Sequence, residues 1–109
     1  MEEVSDWLAM ADGPRYRTLK ETEEYTAQLR SFMEKYSPDT VEAALLGVYW
    51  GLSRNPERYQ QATWNIRQAK SRSLGTVPAF RLLFQIQDDD LILLLWIEEV
   101  GSTEEMMQE

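Results

Sequence analysis

From Phe80 the chain alternates, with Phe80, Leu82, Phe84 and Ile86 on one side of an extended backbone and Arg81, Leu83 and Gln85 on the other. A period of two predicts a half-buried strand. After Gln87-Asp88-Asp89-Asp90, the run Leu91-Ile92-Leu93-Leu94-Leu95-Trp96-Ile97 is apolar on both sides. Such a strand belongs inside a sheet with helices over at least one face. The four turn-type residues between the two runs predict an antiparallel hairpin.

Earlier residues supply the helical cover. Thr22 can cap a helix whose first turn holds Glu23 and Glu24, both suited to the positive end of the helix dipole. Tyr25, Leu29, Phe32, Met33 and Tyr36 then form one apolar stripe. Ser37-Pro38-Asp39 opens a second helix, with the proline at its first position and a stripe of Val41, Ala44, Leu45, Val48 and Leu52. Tyr49 and Trp50 lie beside that stripe, at the edge of the core, where the sequence leaves open whether one of them stays exposed. Arg54-Asn55-Pro56 ends the helix. So short a link predicts an antiparallel helical hairpin.

The flanks complete the order. Tyr16 to Leu19 is a short strand candidate, and Ala62 to Lys70 reads as one strand, with Trp64 and Ile66 facing one way and Asn65, Arg67 and Ala69 the other. Ser71 to Pro78 is a loop carrying Arg72. Val4, Trp7, Leu8 and Ala11 fall at helical spacing before Gly13-Pro14. They make either a short helix laid against the core or an arm that docks on a partner or a second copy. The expected organisation is α+β: a helical arm at 1–13, a single domain at 14–101 and an acidic tail at 102–109. Within the domain a short N-terminal strand precedes the antiparallel helical hairpin and a three-stranded antiparallel meander.

Composition narrows the chemistry. A chain of 109 residues without cysteine or histidine has no disulfide framework, no thiolate metal site and no Ser-His or Cys-His nucleophile pair. Asp88-Asp89-Asp90 reads as a turn, since consecutive carboxylates point in different directions, and neither metal nor cofactor is expected. No apolar run approaches a membrane span, and the acidic start lacks the positive flank of a signal peptide, so a soluble cytoplasmic protein is expected. The net charge of -8 is segregated: residues 1–12 carry -4, 54–87 carry +5 and 88–109 carry -8. Nonspecific binding to nucleic acid is disfavoured at long range, while a local basic patch survives.

The order of elements, the helix end Leu52-Ser53-Arg54-Asn55-Pro56, the segment Trp64-Asn65-Ile66-Arg67 and the whole hairpin from Phe80 to Leu94 resemble the RelE/ParE superfamily of bacterial type II toxins. The resemblance spans about Tyr16 to Val100. It implies a growth-inhibiting toxin with a cognate antitoxin as partner. RelE-like members cut messenger RNA on the ribosome, and the resemblance then assigns Arg81 as the hairpin arginine and Arg67 as the basic position on the preceding strand, with Lys70 and Arg72 as further candidates. This places Arg67 and Arg81 side by side in a shallow cationic hollow. ParE-like members instead bind DNA gyrase. The family's basic or aromatic set after the last strand is missing here, where the chain reads Glu98-Glu99-Val100-Gly101. Either glutamate could serve as a general base or simply be solvated. Three readings follow: a ribosome-dependent endoribonuclease, an inhibitor that binds its target, and a noncatalytic interaction module that keeps the fold. Trp7, Trp50 and Arg54 are the candidate partner-binding residues, and a homodimer is one assembly open to the chain.

Overall fold

The computed structural model describes residues 16–88 and 90–101. The expected arm, with Trp7, and the acidic tail lie outside the described residues. Strand β1 (Thr18–Glu21) leads into helix α1 (Glu23–Lys35) and helix α2 (Pro38–Arg54), followed by a 3-10 turn (Pro56–Arg58). Strands β2 (Gln61–Thr63), β3 (Ile66–Lys70), β4 (Phe80–Asp88) and β5 (Leu91–Glu99) complete the fold.

All five strands form one sheet in the order β1-β5-β4-β3-β2. The meander expected from the sequence is present in β3, β4 and β5, but the sheet is mixed: β1 adds to β5 in parallel, pairing Thr18 with Leu91 and Glu21 with Leu94. A parallel neighbour requires a crossover, and here the two helices and the later strands provide it. The first strand also begins two residues later than expected, because Arg17 is held by its N–H donating to the Ser53 carbonyl at the end of α2 (2.8 Å).

One expected strand proves to be two. The segment read as a continuous strand from Ala62 to Lys70 folds back at Trp64-Asn65, so that Thr63 pairs with Ile66 and Gln61 with Arg67. Asparagine suits a two-residue turn, and the Gln61 amide closes it by donating to the Trp64 carbonyl. Trp64 sits at the tip and is 83% exposed, so it contributes nothing to the core.

The helices cover one face of the sheet. Tyr25 on α1 and Val41, Leu45, Val48 and Leu52 on α2 pack with Phe80, Leu82, Phe84, Ile92, Leu94 and Ile97. Thr22 caps α1 as its sequence position implies, its hydroxyl accepting from the Tyr25 N–H while donating to the Leu94 carbonyl. Of the two aromatics beside the α2 stripe, Trp50 is 55% exposed and Tyr49 turns inward. On the other face β5 presents Leu91, Leu93 and Trp96 beside Leu83 of β4, all half-buried.

Candidate functional site

Register decides which cations meet. Arg81 of β4 pairs with Glu98 of β5 on the face opposite the helices, and Lys70, opposite Arg81 in the register, is the last residue of β3, where the chain leaves the sheet. Arg67 pairs with Phe84, a core residue, and therefore faces the helices. The expected hollow with Arg67 and Arg81 side by side is not formed: the two guanidinium groups lie on opposite faces of the sheet. Arg81 and Phe84 stand three positions apart on β4, and an odd offset in a strand reverses the face.

Each arginine has a structural partner. Arg67 donates from Nη1 to the carbonyls of Tyr59 (2.8 Å) and Glu57 (3.2 Å), tying the 3-10 turn to β3. Arg81 donates from Nη1 to Glu98 Oε2 at 2.7 Å, and the Trp96 indole donates to Glu98 Oε1 at 3.1 Å. Both carboxylate oxygens of Glu98 are thereby engaged. Glu99, one residue on, points to the helix side, where Oε2 accepts from Lys35 Nζ (3.0 Å) and Tyr36 Oη (2.8 Å). Partial burial alone would raise the Glu99 pKa, but the bonds from Lys35 and Tyr36 outweigh it and hold the carboxyl below its usual range. A carboxylate held that way is a weaker proton acceptor, which counts against it as a general base.

A second basic surface lies on the helix side. The groove between α2 and the loop after β3, about 720 Å³, is lined by Arg58, Lys70 and Arg72 together with Tyr59, Ser71, Ser73 and Leu74, and by Ala43, Ala44, Gly47 and Val48 of α2. It has no acidic lining residue. Lys70 and Arg72 make no ion pair among the described residues, and Arg58 lies 5.6 Å from the centre of the Tyr59 ring.

The loop bearing Arg72 is held at several points. Ser71 accepts the Phe80 N–H on its hydroxyl (2.9 Å) and donates its own N–H to the Phe80 carbonyl (2.9 Å). Leu74 and Val77 bond each other across a tight turn in which Gly75 takes φ +63°, a conformation other residues adopt at a cost. Arg58 was not singled out by the sequence; its place in the basic stretch of residues 54–87 was the only signal. Among the described residues no group of three or more acidic side chains could hold a metal ion.

Trp50 and Arg54 come together at the C-terminal end of α2. The Arg54 guanidinium lies 4.0 Å from the Trp50 ring centre and 4.6 Å from that of Tyr16, whose hydroxyl accepts from Arg54 Nη2 (2.8 Å).

An antiparallel helical hairpin on one face of a five-stranded mixed sheet defines the architectural class. A chain of the toxin-antitoxin complex RelBE2 from Mycobacterium tuberculosis superposes on this one with a TM-score of 0.58 at 22% sequence identity, over 79% of this chain and 93% of that one. The likeness is one of fold. No protein-family model matches the sequence, and no curated protein matches it.

Proposed function

We propose that the chain is a RelE/ParE-like toxin that inhibits growth by binding its target rather than by cutting messenger RNA. The observation that carries this reading is the separation of Arg67 and Arg81 onto opposite faces, each committed to a structural partner. Ribose-driven cleavage of RNA needs a proton acceptor and cations converging on one phosphate. Arg81 is instead paired to Glu98, and Glu99 is paired to Lys35. The binding surface is the groove of Arg58, Lys70 and Arg72, which suits an anionic group such as a phosphate or a carboxylate. With a net charge of -8, recognition there is short-range and specific, not a general affinity for nucleic acid.

The likeness to a chain solved within a toxin-antitoxin complex supports a cognate antitoxin as partner. Antitoxin and target differ in role: one neutralises the chain, the other is what the free chain arrests, on the ribosome or at DNA gyrase.

Inducible expression in a bacterium tests the reading. Growth stops while primer extension on a translated message shows no new cut sites. Cuts that vanish in Arg81→Ala would replace binding with catalysis, and unimpeded growth would favour the noncatalytic interaction module.

A further inference from the structure

The solvent face of α2 changes character from one side to the other. Val41, Leu45, Val48 and Leu52 fix the side turned to the sheet, and at about 100° per residue Ala43 and Trp50 fall on the line opposite. Leu46 lies to one side of that line and Gly47 to the other, each by about 50°. Beyond Leu46, toward α1, a groove of about 280 Å³ is lined by Glu21 and Glu42 with Leu29 and Met33, and no cation is among its described lining residues. Beyond Gly47 lies the groove of Arg58, Lys70 and Arg72, which has no acid. Between the two, Leu46 is 67% exposed and Trp50 55%, values unusual for large apolar side chains that adjoin one another.

We infer that this face is a twofold interface, in which α2 packs nearly parallel on α2 of a second copy, with the symmetry axis running along the helices. The inference stands independently of the toxin reading. A rotation of that kind keeps height along α2 and exchanges its two sides. It therefore lays Leu46 of each copy over Gly47 of the other, where nothing lies within 4 Å of the place a Cβ would take. It also sets the acidic groove of each copy against the basic groove of the other. The heights agree, since the acidic groove borders α2 from Glu42 to Tyr49 and the basic groove from Ala43 to Val48. An axis across α2 would instead set acid against acid, so charge selects the parallel arrangement.

Charge also selects a second copy over other occupants. A polyanion laid across α2 would meet Glu21 and Glu42 beside the cations, whereas this chain carries both signs in the complementary order. Seventeen residues make α2 about 25 Å long. A strip two helix diameters wide, about 20 Å, then buries about 500 Å² per copy. The total of about 1,000 Å² stands at the lower limit for a specific interface, so the dimer dissociates in the micromolar range. Where the toxin reading also holds, the second copy covers the Arg58, Lys70 and Arg72 groove, and a bound target excludes it.

Sedimentation equilibrium of the full chain tests this from about 1 µM to about 0.5 mM. In about 0.15 M salt the repulsion between two copies of charge -8 is screened beyond about 8 Å. A monomer should pass to a dimer and to nothing larger, since a twofold interface closes. Gly47→Gln fills the hole without meeting its own chain, and should raise the dissociation constant at least about tenfold while stability to urea holds or improves. Glu42→Lys and Arg72→Glu should each weaken the dimer about tenfold. Combined, they should recover most of that loss, because the exchanged charges again meet opposite signs. A monomer at every concentration overturns the inference. So does a dimer indifferent to Gly47→Gln, which would place the contact on another surface, or a double exchange no better than the single changes, which would turn the two helices the other way.

Discussion

Two residues that look interchangeable along the sequence, Arg67 and Arg81, end on different faces. The alternation within each strand is local and legible: Phe80, Leu82 and Phe84 are buried as their period of two requires, and Arg81 is turned away from them. What the sequence does not contain is the offset between strands, because register is set by pairing across the sheet. Gly51 offers a test at the same scale. A methyl group there would collide with the Tyr59 hydroxyl, and the Tyr59 ring cannot easily retreat because it meets Phe84 edge-on, 5.9 Å between centres. Helix propensity alone predicts that Gly51→Ala gains about 1 kcal/mol, whereas overpacking costs about 1–3 kcal/mol. The variant should therefore be less stable by about 1 kcal/mol in urea unfolding. A stability at or above wild type would mean that Tyr59 yields without cost.

Elements with a strong period and a clear cap were readable in advance, and those set by pairing were not. Thr22 as cap, Pro38 at the first position of α2 and the break before Pro56 all stand where the sequence puts them. The turn at Trp64-Asn65 was missed because the segment around it keeps its alternation, so nothing but the asparagine announced the reversal. The parallel pairing of β1 was missed for a different reason: four residues with one apolar side chain among them carry no signal of direction.

Between α1 and α2 the structure adds a joint that the stripes do not reveal, the hydrogen bond of Tyr25 Oη to Tyr49 Oη at 2.6 Å. Burial pushes the Tyr25 hydroxyl far above the usual tyrosine range, reinforced by Tyr49, and burial also raises Tyr49 even though the bond from Tyr25 works the other way. Both groups therefore stay protonated in the folded chain when unfolded tyrosines ionise, near pH 10. Their contribution is complete below about pH 10 and is lost as the pH climbs beyond it. Tyr25→Phe should cost about 1 kcal/mol at neutral pH and lessen the alkaline decline by about one proton's share, about 1.4 kcal/mol per pH unit. Stability measured from pH 8 to 12 checks both effects. An alkaline limb identical in wild type and Tyr25→Phe would remove the buried pair from the explanation.

For the molecule as a whole, the α+β class and the basic stretch were legible, while the mixed sheet and the place where the cations gather were not. The basic stretch survives folding as a groove lined by Arg58, Lys70 and Arg72. Arg81, the residue singled out by the resemblance, lies across the sheet with its carboxylate partner. The proposed working surface is thus on the helix side, and the Arg81–Glu98 pair is a structural tie between β4 and β5. Among the described residues no helix is long and apolar enough to cross a membrane.

The most direct test is growth after induction, compared for the wild type, the double charge reversal Arg58→Glu with Arg72→Glu, and Arg81→Ala. All three proteins should be present at equal level and folded. Arrest is expected from the wild type and from Arg81→Ala, and release from arrest in the double reversal. Release by Arg81→Ala with arrest retained in the groove variant, or no arrest by the wild type, would contradict it.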